Sequence, residues 1–517
     1  MAYFNNYSML TDYYEFTMAN CFFNNGMKDK IAVFDMFFRR VPDNGGFAVM
    51  AGVEQMIEYL QNLHFDDDDI AFLRNKGIFS EGFLNYLKDF HFSCDVWAVP
   101  EGTPIFPKEP IVTVKGPIIE CIIAETMILL CINHQTLIAT KANRIARAAQ
   151  DRAVMEFGAR RAQGTDSAIN GARAAYIAGC SGTSNVLTDV AYGAPALGTM
   201  AHSWVQMFDS EYEAFCAYAK QYPDNCALLV DTYNTLKSGV PNAIKCFDDV
   251  LKPLGKRPKS IRIDSGDITY LSKHARKMLD EAGYPDCKIV ASNSLDEYII
   301  RDLLIEGAKV DLFGVGERLI TAASDPVFGG VYKLAAIIND DGSITPKVKF
   351  SDNVGKLTLP CFKKTYRLFD IASGKAIADV IALNDETIDE SKEYELFDPD
   401  HTWKRKTVSG FVAKELCTKI YDGGKLCYEL PNIEDIRKYC YDAVDTIWDE
   451  VQRFENPHTY YVDLSQKLWD ERDKLLKAHA AEKLTEGLYE TYNLYDNCCR
   501  NCYDGIIACI LLCRRYE

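Results

Sequence analysis

The sequence lacks the features that would send a chain into or across a membrane. Its first residues, Met1–Asn6, contain neither a charged segment nor an apolar one, so we expect no secretory signal. The longest apolar run, Ile118–Ile132, is interrupted by Glu120 and Glu125, which predicts a core helix rather than a membrane span. We therefore expect a cytoplasmic protein without a membrane partner.

A basic surface and paired metal-binding cysteines are also missing. The formal net charge of −17 argues against a nucleic-acid partner, because binding to phosphates requires a positive surface. The 18 cysteines are scattered, which predicts reduced thiols. Cys499 and Cys502 could form half of a zinc site, but no second pair has suitable spacing. We expect residues 489–517 to form a poorly ordered, cysteine-rich tail.

The common nucleotide-binding fingerprints are absent too. The sequence contains no Gly-x-x-x-x-Gly-Lys-Ser/Thr loop and no Gly-x-Gly-x-x-Gly followed by a helix. Their absence counts against ordinary kinases and dinucleotide-binding enzymes. In an acidic chain, a phosphate site must be built from local cations, so the candidates are arginines that lie near glycines.

What the sequence does contain is an alternation of short apolar runs and helical segments. This rhythm predicts parallel strands joined by crossover helices, in a barrel or a doubly wound sheet. The apolar runs are Val154–Gly158, Ala194–Thr199, Cys226–Asp231, Ser260–Asp264, Lys288–Ser292 and Val310–Gly314.

The alternation divides the chain into regions. Residues 1–117 mix helical and strand-like segments, which predicts an α+β domain. Residues 118–344 begin with a long helical run and contain the parallel strands. We expect residues 345–385 to return to the sheet of the first domain. Residues 386–488 are predicted to be loop-rich and helical.

Polar residues and glycines recur where the apolar runs end. The run that starts at Ala194 breaks at Gly198 and is followed by Thr199, His202 and Ser203. Because the carboxyl ends of parallel strands meet at one edge, we expect a site there. The alternative is a helix cap beside a buried histidine.

The ends of two further apolar runs contain arginines or glycines. Arg160 and Arg161 suit a phosphate or a carboxylate because a guanidinium binds oxyanions in two places, although a surface ion pair is the alternative. Gly314 and Gly316, with Gly330 further along, resemble a phosphate cup. Backbone N–H groups approach phosphate closely only where side chains are absent.

The next two strand ends contain carboxylates and small polar groups. Arg262 precedes Asp264 and Asp267, which can hold sugar hydroxyls or a magnesium ion on a polyphosphate. Asp267 would equally serve as a helix N-cap. Ser292 and Asn293 end the following run at the same edge.

Taken in order, these motifs resemble the nicotinate phosphoribosyltransferase family. The resemblance extends from about residue 7 to about residue 480. The segments that carry it are Leu10–Ala19, Phe157–Gly164, Gly179–Val186, Gly198–Ser203, Leu229–Asn234, Arg262–Asp267, Gly314–Gly316, Gly329–Leu334 and Asn456–Ser465.

The resemblance implies an α/β fold in which an irregular parallel α/β barrel joins an α+β sandwich domain and a helical C-terminal region. It implies that nicotinate and phosphoribosyl pyrophosphate react to nicotinate mononucleotide and pyrophosphate, with coupled ATP hydrolysis and Mg²⁺. It also implies a homodimer with shared active sites, in which the N-terminal tyrosine crosses to the partner.

The resemblance also assigns roles by position. His202 matches the histidine that ATP phosphorylates, and Mg²⁺ would arrive on pyrophosphate with Asp264 as its candidate protein ligand. Tyr14, Thr199 and Arg262 match positions around nicotinate. The phosphoribosyl and pyrophosphate positions, together with further candidates at the same edge, are Arg160, Arg161, Ser203, Asp264, Asp267, Ser292, Asn293, Gly314, Gly316 and Gly330.

Two alternatives stay open from the sequence. The same fold could act on nicotinamide, or the chain could be a non-catalytic paralogue that binds nucleotide. One departure from the family pattern is Glu317-Arg318 after Gly316, where a threonine or serine is common. It puts a side-chain contact to phosphate in doubt, while backbone contacts would survive.

Overall fold

The computed structural model describes residues 6–350 and 357–481. The predicted tail at 489–517 lies outside the described residues. The helices are α1 Tyr13–Asn24, α2 Val53–Asn62, α3 Asp67–Asn75, α4 Glu81–Lys88, α5 Ile118–Ile123, α6 Glu125–Ala148, α7 Thr165–Ile177, α8 Val186–Tyr192, α9 His202–Gln206, α10 Glu211–Gln221, α11 Val240–Cys246, α12 Ile268–Glu281, α13 Glu297–Ile305, α14 Glu317–Ile320 and α15 Ile433–Asp445. Residues 466–481 are also helical.

The strands, also numbered in chain order, are β1 Ile31–Phe37, β2 Ala48–Val49, β3 Asp95–Ala98, β4 Pro104–Ile105, β5 Val112–Pro117, β6 Ala153–Glu156, β7 Gly182–Thr183, β8 Ala227–Leu229, β9 Ser260–Ile263, β10 Lys288–Ser292, β11 Leu312–Val315, β12 Val331–Ile338, β13 Ile344–Pro346, β14 Lys363–Asp370, β15 Ala376–Leu383, β16 Tyr394–Phe397, β17 Arg405–Val408, β18 Phe411–Glu415, β19 Thr418–Asp422, β20 Lys425–Leu426 and β21 Val462–Leu464.

A seven-stranded antiparallel sheet organises the N-terminal region, in the order β13-β12-β1-β5-β3-β19-β20. Strands from residues 331–346 and 418–426 complete it. This corrects the expectation that residues 345–385 do so. β14 and β15 instead lie in a separate sheet, β18-β14-β15-β21, because their buried residues pack into a core of their own. The domain boundaries themselves stay predictions.

The parallel part of the fold is a six-stranded sheet in the order β7-β6-β11-β10-β9-β8. All of its pairs are parallel, and each strand from β8 to β11 lies beside the next one in the chain. This order is that of a barrel wall, as the α/β prediction requires. Ala196 adds one parallel bridge beside Thr183 at the open end, so the barrel is irregular.

The predicted strand at Ala194–Thr199 is wrong. Only the single bridge from Ala196 to Thr183 forms there. Gly193 adopts a left-handed conformation with φ 77°, and Pro195 has no N–H for a ladder. The segment is therefore a loop that ends where α9 begins at His202.

The long apolar helical run is a core helix, as its interrupting glutamates predict. α5 and α6 are continuous except for a break at Ala124. The segment Ile118–Ala148 is long and apolar enough to cross a membrane, yet 72% of its most apolar window is buried in the protein. The cytoplasmic location stays a prediction.

α6 also fastens the barrel to the N-terminal region. The Lys141 ammonium donates to Asp43 at 3.0 Å and to Glu297 at 2.9 Å. The Arg144 guanidinium donates to the same Glu297 at 2.8 Å. All four side chains are nearly inaccessible. Removing one member would leave a buried charge without its partner, so this network fixes the barrel on the helix.

The C-terminal region has the predicted helices but more strands than the sequence suggests. Helices were expected at 432–455 and 463–488. α15 ends ten residues earlier, at Asp445, and the second helix is described over residues 466–481. Between them and β15 lie β16 to β20, where the sequence predicts mostly loop. Those strands are two to five residues long, and β19 pairs with the distant β3, so their local pattern is weak.

Candidate active site at the barrel edge

The carboxyl ends of neighbouring barrel strands bring a compact polar cluster together. Asp231 follows β8, Asp264 follows β9, and Ser292 is the last residue of β10. Arg262 lies within β9, two residues before Asp264. As the sequence predicts, the strand ends share one edge of the sheet.

His202 enters this cluster from the first position of α9. Its Nδ1 atom lies 3.1 Å from the Thr232 hydroxyl, and its Nε2 atom lies 3.8 Å from an Asp264 carboxylate oxygen. The imidazole side chain is 40% exposed, so a ligand can reach it. This exposure excludes the alternative interpretation, in which His202 is a buried structural histidine.

The Arg262 guanidinium is held in a fixed orientation. Its Nε donates to Ser292 at 2.8 Å, and one terminal nitrogen donates to Asp264 at 2.6 Å. The other terminal nitrogen donates to the Thr199 hydroxyl at 3.4 Å. The central carbon lies 5.6 Å from the centre of the Phe157 ring. A planar cation fixed in this way is suited to a carboxylate.

Asp264 is an ionised carboxylate at neutral pH. Burial by itself would raise the pKa of Asp264. Hydrogen bonds from Ser292 and Arg262, together with the charges of Arg262 and His202, outweigh burial and lower the pKa below its ordinary value. Asp264 can therefore accept hydrogen bonds from sugar hydroxyls or bind a hard cation.

Asp231 fixes the loop that carries Asp264. One of its carboxylate oxygens accepts from the Asp264 N–H at 2.9 Å and from the Ser265 hydroxyl at 2.6 Å. Asp231 and Thr232 were not assigned a role from the sequence. Their position directly after an apolar run is the signal that could have found them.

A third unassigned residue, Glu156, joins two neighbouring strand ends. Its buried carboxylate accepts from the Gly158 N–H and from the Thr183 hydroxyl, the latter at 2.7 Å. Burial raises the pKa of Glu156. It anchors the turn that begins at Phe157 and continues into Arg160.

Arg160 and Arg161 lie in a short 3₁₀ turn, and both side chains point to solvent. Arg161 lies 3.6 Å from Glu317, a surface ion pair as in the alternative interpretation. Arg160 has no ion-pair partner within residues 6–350 and 357–481, so it is free to meet an anion. Arg318 pairs with Asp296, so Glu317 and Arg318 both have structural partners.

Gly314 does not lie in a loop, although its contact with phosphate stays a prediction. It belongs to β11, and an added Cβ would lie 2.6 Å from the Phe157 ring. Its role is to make room for that ring. Gly316 lies beyond the strand as the N-cap of α14, where an added Cβ would lie 3.0 Å from the Phe157 carbonyl oxygen.

Three more candidates lie at the edge without joining the cluster. Asp267 caps α12 by accepting from the Tyr270 N–H at 2.8 Å, as its alternative interpretation predicts. Ser203 is an exposed residue of α9. Asn293 adopts a left-handed conformation with φ 86°, a strained geometry that often marks ligand-binding turns.

Tyr14 and Gly330 lie away from the cluster. Tyr14 is on α1 near Glu125, and Gly330 donates to Asn133 of α6 at 3.1 Å. An added Cβ at Gly330 would lie 2.2 Å from Asn133. This close packing is by itself a sufficient reason for a glycine at position 330. No hydrogen bond or ion pair between described residues joins either one to His202.

Comparison with known proteins identifies the family. Three family models match in succession: the nicotinate phosphoribosyltransferase N-terminal domain at residues 9–133, the family model at 152–365 and the C-terminal domain at 362–472. A nicotinate phosphoribosyltransferase of Bacillus subtilis (strain 168) is 44% identical over 481 residues, covering 93% of this chain and 96% of that protein. The chain belongs to the nicotinate phosphoribosyltransferase family.

Solved structures agree with this membership in the nicotinate phosphoribosyltransferase family. The crystal structure of human nicotinic acid phosphoribosyltransferase superposes with a TM-score of 0.78 at 27% identity, covering 90% of this chain and 100% of that one. A nicotinate-nucleotide pyrophosphorylase from Pyrococcus furiosus has the same fold, with a TM-score of 0.63 at 24% identity over 85% of this chain and 95% of that one. The predicted family and fold are therefore confirmed.

Proposed function

We propose that the chain transfers the phosphoribosyl group of phosphoribosyl pyrophosphate to nicotinate and serves NAD biosynthesis or salvage. The observation that carries the proposal is the edge cluster, where a fixed guanidinium, an ionised carboxylate and an accessible imidazole converge. Family membership supplies the reaction, and the cluster has the groups that the reaction needs.

Arg262 is our candidate partner for the nicotinate carboxylate. Its three hydrogen bonds and its place over Phe157 leave it little freedom. Thr199, beside one terminal nitrogen, would share that contact. A pre-oriented cation holds an anionic substrate at low entropic cost, and a neutral carboxamide would gain much less from it. This difference favours nicotinate over nicotinamide.

The sugar and pyrophosphate would lie toward Asp264 and Arg160. The ribosyl carbon becomes cationic as the bond to pyrophosphate loosens, and an ionised carboxylate nearby stabilises that charge. The described residues contain no group of three or more His, Cys, Asp or Glu side chains that could hold a metal. One carboxylate does suit Mg²⁺ already bound to pyrophosphate, and the ion would neutralise the leaving charge.

His202 is the proposed acceptor of the ATP phosphoryl group. The Asp264 carboxylate favours a proton on Nε2, the nearer nitrogen, which leaves the lone pair on Nδ1. The Thr232 hydroxyl then donates to Nδ1 and fixes this tautomer. Phosphorylation at Nδ1 would replace that hydroxyl contact.

The position of Tyr14 supports a shared site in a homodimer. Tyr14 is 44% exposed and lies apart from its own cluster, so a second copy could receive it. The apolar side chains of Val186, Leu187 and Val190 on α8 are 67%, 54% and 77% exposed, a surface that a partner would cover.

An open cavity of about 780 Å³ adjoins α8 and the segment before α1, with Tyr7, His134 and Tyr192 in its walls. None of the cluster residues lines it. We assign chemistry to the cluster because a guanidinium, a carboxylate and an imidazole converge there. The cavity wall contains the carboxylates of Glu58 and Asp166 but no lysine or arginine that could bind an anionic substrate.

Purified protein with Mg²⁺, phosphoribosyl pyrophosphate and either nicotinate or nicotinamide, followed for pyrophosphate release with and without ATP, tests the proposal. We expect turnover with nicotinate and stimulation by ATP. Absence of turnover with nicotinate would favour the non-catalytic paralogue. Equal efficiency with nicotinamide would overturn the role of Arg262.

A further inference from the structure

The first turn of α1, which contains Tyr14, is fastened to α6 by hydroxyl groups. Asp12 occupies the N-cap position, but its side chain makes no capping hydrogen bond. Instead, the Asp12 N–H donates to the Thr126 hydroxyl at 3.2 Å. The start of α1 is thus held from outside the helix.

The same hydroxyl continues the network into a buried carboxylate. Thr126 donates to one oxygen of Glu15, and Thr11 donates to the other. Glu15 is fully buried, and none of the ion pairs among the described residues includes it. Lys333 pairs with the neighbouring Glu125 at 3.6 Å. We call this set the Thr11–Glu15–Thr126 clamp.

The clamp leaves the neighbouring side chain exposed. Glu15 is 0% exposed, while Tyr14 directly before it is 44% exposed. Burial raises the pKa of the Tyr14 hydroxyl, and the nearby charges of Glu125 and Glu15 raise it further. Tyr14 therefore stays a neutral phenol that projects from a fixed turn.

We propose that the Thr11–Glu15–Thr126 clamp positions Tyr14 for nicotinate binding. The inference rests on the proposed function, in which Tyr14 serves the nicotinate site of a second copy. The first turn of a helix lacks internal partners for its N–H groups and frays readily. A ring that completes another subunit's site must be held to a fraction of an ångström, and the clamp supplies that order.

Thr126→Val removes the central hydroxyl and preserves its shape. Thr140→Val is the matched control, because Thr140 lies buried on the same helix and its hydroxyl likewise joins α6 to a neighbouring backbone N–H, that of Val49. We expect Thr126→Val to raise the KM for nicotinate by ~10-fold, with kcat and the KM for phosphoribosyl pyrophosphate nearly unchanged. Thr126→Ser should restore the KM.

Amide hydrogen exchange gives a second readout that does not depend on activity. The peptide over residues 12–17 should exchange faster in Thr126→Val and not in Thr140→Val. Unchanged exchange there, or an equal rise of the nicotinate KM in both variants, overturns the clamp.

Tyr14→Ala separates the two proposals. If it raises the nicotinate KM while Thr126→Val does not, only the clamp is wrong. If Tyr14→Ala leaves the KM unchanged, the assignment of Tyr14 fails and the clamp's role in binding fails with it. Absence of turnover in the unmodified protein rejects the proposed function itself, and the exchange result then decides only whether the clamp orders α1.

Discussion

His202 and Thr232 are joined by a hydrogen bond of 3.1 Å between the imidazole Nδ1 and the threonine hydroxyl. Thr232 follows β8, whereas His202 begins α9 after a loop, so the two residues meet only in the folded barrel. Asp264 lies on the other side of the ring, with a carboxylate oxygen 3.8 Å from Nε2, and this arrangement is the basis of the proposed tautomer.

Replacing Thr232 by valine should impair phosphorylation of His202. The variant leaves Nδ1 without its donor and lets the ring change tautomer, so we expect ATP-dependent labelling to fall ~10-fold. Labelling with γ-³²P ATP measures this. Thr188→Val, which alters a buried hydroxyl on α8, should label like the parent protein. Equal labelling of Thr232→Val and the parent would contradict the proposed tautomer.

Arg262→Lys should weaken nicotinate binding although the charge is kept. A lysine cannot reproduce the three hydrogen bonds of the guanidinium or its place over Phe157. We expect kcat/KM for nicotinate to fall ~100-fold, about the loss of two charge-assisted hydrogen bonds. Steady-state kinetics check this. The control is Arg276→Lys, which changes an equally well-bonded arginine on α12. If Arg262→Lys has the same kcat/KM for nicotinate as the parent protein, the assignment of Arg262 to the nicotinate carboxylate is wrong.

Gly314→Ala should displace the Phe157 ring. The added methyl group would lie 2.6 Å from that ring, which is shorter than the contacts that Cβ atoms make in real structures. We expect the free energy of unfolding to fall by about 1–3 kcal/mol and activity to fall with it. Chemical denaturation measures the first effect. Gly198→Ala is the control, since no atom lies within 4 Å of its added Cβ. Equal stability of the two variants would show that the ring moves freely.

Glu15 should make stability depend on pH near neutrality. Burial raises the pKa of Glu15 from 4.5 to about 7, against the opposing hydrogen bonds from Thr11 and Thr126. Between those values the folded state binds more protons than the unfolded chain, so the free energy of unfolding falls as pH rises. We expect a fall of about 1–2 kcal/mol once solvent screening is included.

Urea denaturation at pH 5 and pH 8 measures this change. Glu15→Gln should reduce it, because the amide does not titrate, while Asp463, whose pKa burial also raises to about 7, retains the remainder. Glu81→Gln, which changes an exposed glutamate whose pKa is lowered by Arg74, should retain it. A Glu15→Gln variant with the full pH dependence of the parent would assign the effect to another group.

The sequence predicted the barrel edge because apolar strands and their polar ends are local features. Arg262, Asp264 and Ser292 each follow from one run and its end. Asp231 and Thr232 had the same local signal, the end of an apolar run, and were overlooked. Glu156 escaped assignment because its role comes from a contact between strands. No local pattern records that the Thr183 hydroxyl reaches Glu156.

The errors have equally specific causes. Pro195 and the left-handed Gly193 turn an apolar run into a loop. β19 finds its partner in β3, more than three hundred residues earlier, so the C-terminal strands could not be recognised from their own sequence. Gly314 was expected beyond a strand but belongs to β11, because a glycine that admits an aromatic ring looks the same in sequence as one that admits a phosphate. Its contact with phosphate stays a prediction.

The most direct test of the account is the phosphorylation of His202. The parent protein should acquire label from γ-³²P ATP as Nδ1-phosphohistidine, and nicotinate should discharge it in the presence of phosphoribosyl pyrophosphate. His202→Ala should take no label, keep some transferase activity and lose its stimulation by ATP. Label retained by His202→Ala would contradict the account, because the phosphate acceptor would then lie outside the edge cluster.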